Sequence, residues 1–194
     1  MKAICVFAGA NPGHDPAFVA AAERLGGAIA RRGITLVFGG GRAGLMGAVS
    51  AAARAAGGRV VGIIPQALLG KEQAWQGTDV ELEVVTSMHE RKARMAELVD
   101  AFVALPGGFG TFEELCEMIT WSQLGIHRKA CGVVNVNGYY DGLLALFDHA
   151  MASGLIRTGH RGLVVAEREP EAALDALAAW QAPALEFKLD WSQS

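Results

Sequence analysis

The sequence predicts an α/β fold: a doubly wound, mostly parallel sheet of about seven strands with helices on both faces. Short apolar segments alternate with helical patterns six times along the 194 residues, which is the order of successive strand–helix–strand units. The apolar segments are continuous rather than alternating, as in strands buried on both faces. No linker or repeat interrupts them, so we expect one domain over residues 1–185 and a peripheral tail over 186–194.

The strands are predicted from short apolar runs bounded mostly by turn residues. The first run, Ile4-Cys5-Val6-Phe7, ends before Gly9 and Pro12 and is interpreted as a buried first strand. The predicted strands cover residues 2–7, 35–38, 59–64, 82–86, 101–105, 132–136 and 163–166.

Helical patterns fill the segments between these strands. Ser87 and Glu90 form a capping-box pattern, which predicts the start of the third helix. Thr111 follows a glycine-rich turn and is a candidate N-cap for the fourth helix. The predicted helices cover residues 16–32, 44–56, 87–99, 111–125, 140–153 and 170–181.

Composition and charge argue against two classes of partner. The formal net charge is −3, from 17 basic and 20 acidic residues without blocks of either sign, so a non-specific nucleic-acid binder is not expected. No apolar run approaches the ~18 residues of a membrane span. The 3 cysteines are scattered in apolar stretches, which favours reduced core cysteines. We therefore expect a cytoplasmic protein with no nucleic-acid partner and no membrane partner.

Glycine and charged residues concentrate where the predicted strands end. Glycine accounts for 25 of the 194 residues, well above its typical share of about 7%. In open α/β sheets, ligands bind beyond the carboxyl ends of the strands, near the point where the strand order reverses. We therefore expect the binding site among the segments that directly follow strands, at residues 9–13, 39–41, 65, 87–91 and 106–108.

The glycine run after the second predicted strand matches G-x-G-x-x-G at Gly39, Gly41 and Gly44. A dinucleotide site would follow the first strand and would place an acidic residue about 20 positions later, and the chain has neither feature. Three interpretations stay open: a nicotinamide or flavin site, a tight turn whose backbone approaches a phosphate or nucleoside, and a plain turn.

The segment Pro106-Gly107-Gly108-Phe109-Gly110-Thr111 converts a strand into a helix. The free N–H groups and the positive dipole at such a helix start form an anion site. The Thr111 hydroxyl is placed either to cap the helix or to donate to a phosphate. The alternative interpretation is an ordinary glycine-rich turn that carries no ligand.

Glu114 is the unusual acidic residue of the helix that follows. It shares one helix face with Met118 and Trp121, at spacings i, i+4 and i+7, so its carboxylate lies among large apolar groups. Glu113 and Glu117 fall elsewhere on the helix and are expected to be solvated. A carboxylate on an apolar helix face therefore makes Glu114 a candidate functional residue.

Arg91 is the matching basic residue of the preceding helix. It falls on one helical stripe with Met88, Met95 and Leu98. A buried guanidinium needs an anionic partner or ligand. The alternative is an arginine that extends along the apolar surface and keeps its charge in water.

Taken together, these motifs resemble the Lonely guy (LOG) family of cytokinin riboside 5′-monophosphate phosphoribohydrolases, whose members were long labelled lysine decarboxylases. The resemblance extends over almost the whole chain. It is carried by Met88-His89-x-Arg91-Lys92, the segment from Pro106 to Glu114, residues 39–41 with 44–47, residues 119–127, and Asn137-Gly138-Tyr139-Tyr140.

The resemblance implies a Rossmann-like nucleotide-binding domain that hydrolyses the N-glycosidic bond of an adenine-type nucleoside 5′-monophosphate. The implied products are the free base and ribose 5-phosphate. Arg91 and Glu114 fall on the catalytic pair, a homodimer is implied, and neither a metal nor a cofactor is expected. Ala10 departs from a frequent serine, which puts one ribose or base contact in doubt. Substrate contacts are implied or expected at Glu72, Met88, Lys92, Gly107, Gly108, Phe109, Gly110, Thr111, Thr120, Gly39 and Gly40.

Three other functions stay open at this point. A general nucleoside monophosphate nucleosidase would share the same motifs and differ only in its preferred base. A molybdenum-cofactor carrier has this fold and a similar glycine-rich anion site, but it needs neither Arg91 nor Glu114. A nucleotide-sensing module would be favoured by fused domains, which 194 residues do not accommodate.

Overall fold

The computed structural model describes residues 1–69 and 80–184. In this part of the chain the strands are β1 (Ala3–Phe7), β2 (Thr35–Phe38), β3 (Val60–Pro65), β4 (Glu81–Val85), β5 (Ala101–Ala104), β6 (Ala130–Val134) and β7 (Val164–Glu167). They form one sheet in the order β4-β3-β2-β1-β5-β6-β7, and every neighbouring pair is parallel. This confirms the predicted doubly wound α/β fold.

The strand order reverses at β1. The chain builds the sheet outward from β1 to β4, then returns to pair β5 with the other side of β1, in the register Ile4 with Ala101 and Phe7 with Ala104. Connections leave the sheet in opposite directions on the two sides of such a point, which opens a crevice at the carboxyl ends of the strands. The loops after β1 and β5 therefore meet at one place.

Helices cover both faces of the sheet. They are α1 (Pro16–Arg31), α2 (Gly44–Ala55), α3 (Met88–Leu98), α4 (Phe109–Leu124), α5 (Asp141–Ala152) and α6 (Pro170–Ala179). The residues of β1 alternate between the two layers: Ile4 and Val6 pack with α1, α2 and α6, whereas Cys5 and Phe7 pack with α3, α4 and α5. Both faces of the strand are buried, as its continuous apolar run predicts.

The start of α3 confirms the predicted cap. Ser87 is the N-cap, and its hydroxyl accepts a hydrogen bond of 3.1 Å from the Glu90 N–H. The Glu90 carboxylate reaches back and accepts hydrogen bonds from the Thr86 hydroxyl and, at 2.7 Å, from the Thr86 N–H. The bond from the hydroxyl, followed by the bond from the N–H, lowers the pKa of Glu90. Glu90 therefore has the structural role that the sequence predicts, and it fixes the helix that carries Arg91.

Most element boundaries differ from the predicted ones by one or two residues, and two of the differences have a clear physical reason. Strand β6 ends at Val134, two residues before the predicted end, because Asn135 leaves the sheet and leads into a short 3-10 turn at Val136–Gly138. Helix α4 begins at Phe109 with Gly108 as its N-cap, so Thr111 lies inside the first turn. The predicted capping role of Thr111 is therefore wrong.

None of the helices in the described residues is long and apolar enough to cross a membrane. The predicted tail at residues 186–194, and residues 70–79 of the predicted connection after β3, lie outside the described residues.

Candidate active site

A pocket of about 390 Å³ opens at the carboxyl ends of β1 and β5. The loop after β1 forms one wall, and the turn from β5 into α4 forms another. The pocket thus lies in the crevice that the strand order creates. The predicted site residues that line it are Arg91, Gly107, Gly108, Gly110, Thr111 and Glu114.

The turn into α4 is packed against its own helix. A Cβ on Gly107 would lie 2.1 Å from the Thr111 Oγ1, so only glycine allows this close approach. Thr111 is buried and lines the pocket. The N–H groups in the first turn of the 16-residue helix have no partners further along the helix, and the helix dipole is positive there. An anionic group is therefore favoured at this end of the pocket.

Arg91 and Glu114 form an ion pair in the pocket wall. The Arg91 Nη2 lies 3.4 Å from the Glu114 Oε1, and the two side chains are 8% and 13% exposed. Arg91 is thus buried beside a carboxylate rather than extended to solvent. The pair joins the start of α3 to α4, and both side chains contribute to the lining of the pocket.

The Cys5 thiol lies in the core close to this pair. Burial raises its pKa well above the usual value, and the negative charge of Glu114 adds to the rise while the positive charge of Arg91 opposes it. The thiol therefore remains protonated at neutral pH. The structure agrees with the predicted role of Cys5 as a core residue, and the other cysteines, Cys116 and Cys131, are also free thiols.

Gly39 makes room for the Arg91 guanidinium. A Cβ at Gly39 would lie 1.9 Å from the Arg91 Nη2. Gly40 is buried as well and has a positive φ of 73°, which L side chains rarely adopt. Neither glycine lines the pocket: Gly39 lies against Arg91, and Gly40 lies against Ile64 and Leu82.

The start of α2 holds the loop after β1. The Gly9 carbonyl oxygen accepts hydrogen bonds from the Leu45 and Met46 N–H groups, at 2.9 and 3.3 Å. Gly44 has a φ of +58°, and a Cβ there would lie 2.3 Å from the Ala10 carbonyl carbon. This end of the G-x-G-x-x-G segment therefore fixes protein backbone, and it places Ala10 in the pocket wall.

Lys92 joins α3 to α4 beside the Arg91–Glu114 pair. Its ammonium lies 2.6 Å from the Glu113 carboxylate and 2.8 Å from that of Glu117, and its side chain is almost fully buried. Burial acts to lower the pKa of Lys92, but the hydrogen bonds to the two carboxylates outweigh it, and the pKa is raised. Glu113 is exposed at the helix surface, whereas the prediction that Glu117 is solvated is wrong because Lys92 draws it inward.

The remaining predicted site residues lie outside the lining of the pocket. Met88 is exposed, with its sulfur 3.8 Å from the Arg91 Nη1. Phe109 is 92% exposed, and the exposed Thr120 donates its hydroxyl proton to the Cys116 carbonyl at 2.7 Å. Glu72 lies outside the described residues.

The pocket also contains residues that were not predicted as site residues. Phe18, Met46 and Tyr139 contribute apolar surface. Asn11, which contributes a polar group, belongs instead to the segment 9–13 where the binding site was expected. The sequence signal for Tyr139 is the segment from Asn137 to Tyr140, which contributes to the family resemblance but carries no local pattern of a binding site. Its place in the site depends on the chain returning from β6, which the local pattern does not reveal.

Comparisons with known proteins identify the family. The family model described as "Possible lysine decarboxylase" matches residues 46–177. A probable cytokinin riboside 5′-monophosphate phosphoribohydrolase from Oryza sativa subsp. japonica is 46% identical, over 100% of this chain and 79% of the relative. Proteins named cytokinin riboside 5′-monophosphate phosphoribohydrolase from Arabidopsis thaliana and Rhodococcoides fascians are 49% and 47% identical, over 84% and 91% of this chain and 75% and 89% of the relatives.

Solved structures share the fold at lower identity. A molybdenum cofactor carrier protein from Chlamydomonas reinhardtii has a TM-score of 0.69 at 22% identity, over 92% of this chain and 99% of that chain. A molybdenum cofactor binding protein from Rippkaea orientalis has a TM-score of 0.67 at 23% identity, over 92% and 97% of the two chains. At these identities the likeness extends to the fold alone.

Proposed function

The chain belongs to the family of cytokinin riboside 5′-monophosphate phosphoribohydrolases, and we propose that it hydrolyses the N-glycosidic bond of an N6-modified adenosine 5′-monophosphate. The products are the free base and ribose 5-phosphate. The observation that carries this proposal is the buried Arg91–Glu114 pair in the wall of a pocket that also contains the turn at residues 107–111, hereafter the anion-binding turn, whose N–H groups favour an anion.

Glu114 is proposed to act on the reacting sugar. Cleavage of the bond between C1′ and the base nitrogen builds positive charge on the ribose, as in the oxocarbenium-like state of glycosidases. A carboxylate beside that carbon stabilises the charge and orients or deprotonates the attacking water. Arg91, 3.4 Å away, holds the carboxylate in place and adds a positive charge to the pocket.

The turn over Gly107–Thr111 is proposed to bind the 5′-phosphate. Its supporting features are the N–H groups at the start of α4, the helix dipole and the buried Thr111 beside Gly107. A phosphate held there is remote from the bond that breaks, so its binding energy positions the ribose against Glu114. This role predicts a strong preference for monophosphates over ribosides.

The other predicted substrate contacts are proposed because the chain belongs to this family. Lys92 and Met88 adjoin Arg91 on α3, and we propose that Lys92 supports the electrostatics of the pair through its carboxylate partners on α4. Gly39 acts by making room for the arginine, and Gly40 supplies the positive φ of the same turn. Substrate contacts at Glu72, Phe109 and Thr120 are proposed from the family resemblance alone.

A substrate panel distinguishes this function from its alternatives. We expect release of free base from N6-isopentenyladenosine 5′-monophosphate, slower release from AMP and CMP, and little from the matching riboside, measured by chromatography. Faster cleavage of AMP would favour a general nucleosidase, and equal cleavage of the riboside would contradict the phosphate anchor. Absence of base release from every compound would favour a molybdenum-cofactor carrier, an alternative that is supported by the shared fold.

We further propose a cytoplasmic homodimer. Helix α5 has no buried residue, although it is rich in apolar side chains, and Leu146 is 58% exposed. A second copy of the chain would cover such a face. The free thiols of Cys5, Cys116 and Cys131 fit a reducing compartment.

A further inference from the structure

Three consecutive carbonyl groups leading into the anion-binding turn are each held by a donor from another segment. The Leu105 carbonyl accepts from the Tyr140 hydroxyl at 2.6 Å, and the Pro106 carbonyl accepts from the Gly9 N–H at 3.0 Å. The Gly107 carbonyl accepts from the Tyr139 hydroxyl. Two of the three anchors therefore come from the adjacent tyrosines between β6 and α5.

The anchored carbonyls of Pro106 and Gly107 fix the directions of the N–H groups of Gly107 and Gly108. In a trans peptide the C=O and N–H bonds point to opposite sides. The bond from Tyr139 to the Gly107 carbonyl therefore directs the Gly108 N–H away from Tyr139. Within the described chain, no hydrogen bond uses the N–H of Gly107 or Gly108, and both residues line the pocket.

The tyrosine pair is itself firmly supported. The Tyr140 N–H donates to the Asn135 Oδ1 at 2.7 Å, and the Asn135 Nδ2 donates to the Asp141 Oδ1 at 2.6 Å. The Tyr139 ring packs edge-on against Phe18, with ring centroids 5.5 Å apart, and edge-on against Tyr140 at 5.1 Å. The Tyr139 hydroxyl is therefore presented to the turn by a ring that two aromatic neighbours orient.

We propose that Tyr139 is a positioning residue of the phosphate site, whose hydroxyl holds the Gly107–Gly108 peptide so that the Gly108 N–H donates to the phosphate of the substrate. This inference rests on the proposed function, because it assigns the anion at this turn to the 5′-phosphate. It gives a role to the segment from Asn137 to Tyr140, which lies far in sequence from the turn.

The variant Tyr139→Phe tests the proposal, because it removes the hydroxyl and keeps the ring. We expect the Kd for ribose 5-phosphate, measured by calorimetry, to rise about tenfold, the value of one hydrogen bond to a charged group. The Kd for the free base should stay within about twofold, because the base does not use the turn. The kcat/KM for the monophosphate should fall by a similar factor of about ten.

Tyr140→Phe is the matched control. It frees the Leu105 carbonyl, but the next residue is Pro106, which has no N–H to direct. We expect a lower melting temperature, because a buried carbonyl loses its donor, with a Kd for ribose 5-phosphate within about twofold of the unmodified protein. Circular dichroism verifies that both variants are folded.

Three outcomes would overturn the inference: an unchanged Kd for ribose 5-phosphate in Tyr139→Phe, an equal rise for ribose 5-phosphate and the base, or no binding of ribose 5-phosphate by the unmodified protein. Failure of the proposed function is a different result. In that case the unmodified protein binds ribose 5-phosphate but releases no base, and the comparison of Kd values still tests the role of Tyr139.

Discussion

At the scale of single residues, the position of the proposed catalytic arginine depends on one glycine. Arg91 approaches the backbone after β2 so closely that a Cβ at Gly39 would lie 1.9 Å from its Nη2. The guanidinium is the far end of a flexible side chain, so a methyl group there would move the arginine more readily than the backbone. Such a movement changes the distance of 3.4 Å to Glu114.

We therefore predict that Gly39→Ala folds but is a poor enzyme. A displacement of about 1 Å in a catalytic group costs up to about 10²-fold in rate, so we expect a loss of that order in kcat/KM. The measurement is base release from the monophosphate, with melting temperature as a test of folding. Gly142→Ala is the control, because a Cβ at Gly142 has no atom within 4 Å and should leave turnover unchanged. Unchanged turnover in Gly39→Ala would contradict the account.

The sequence indicated some of these residues and not others, for a physical reason. Arg91 and Glu114 each stand out as a charge on an apolar helix face, which is a property of one helix. The inward position of Glu117 depends on Lys92 from a neighbouring helix. The position of Arg91 likewise depends on another element, because Gly39 after β2 leaves room for its guanidinium. Distances between elements are not encoded in local spacing.

At the scale of elements, His127 links β5 to the segment that follows α4. Its ring packs on Phe102, with centroids 5.2 Å apart, and its Nδ1 accepts a hydrogen bond from the Lys129 N–H at 3.2 Å. Burial, and then the positive charge of Lys129, lower the pKa of His127 from 6.5 to about 4. The folded protein therefore keeps this histidine neutral.

This shift predicts a loss of stability in mild acid. The folded-state pKa lies below the unfolded value, so the contribution is fully present above pH 6.5 and is lost as the pH falls toward about 4. We expect the urea midpoint to fall between pH 7 and pH 5, and to fall less in His127→Phe. His149→Gln, at an exposed histidine, should follow the unmodified protein. An identical pH dependence in His127→Phe would contradict this role.

Element boundaries were predicted where the chain carries a local signal. Ser87 and Glu90 mark the start of α3, and the structure confirms their cap. The start of α4 was placed at Thr111, because a threonine after glycines resembles an N-cap, but Gly108 takes that position. Thr111 instead packs against Gly107 in the turn, a tertiary contact that overrides its local preference.

At the scale of the whole molecule, the strand order places the two proposed catalytic residues at one pocket. Pairing β5 with β1 brings the turn after β5 beside the loop after β1, and α3 and α4 begin at that same edge of the sheet. The fold class follows from the alternation of strands and helices, because each strand and helix has its own local pattern in the sequence. The strand order depends on pairing between distant segments. The sequence therefore indicated the edge of the sheet where a ligand binds, and the structure was needed to show which loops form the pocket.

The most direct test of the account is the kcat/KM of Glu114→Gln for N6-isopentenyladenosine 5′-monophosphate, measured as released base. Glutamine keeps the shape of the side chain and removes its charge, so we predict a loss of about 10³-fold. The melting temperature should fall because the buried Arg91 loses its anionic partner, and circular dichroism at the assay temperature verifies that the variant is folded. Glu23→Gln, at an exposed acid on α1 outside the pocket, should stay within a few-fold of the unmodified protein. Turnover by Glu114→Gln at the unmodified rate would contradict the proposed mechanism.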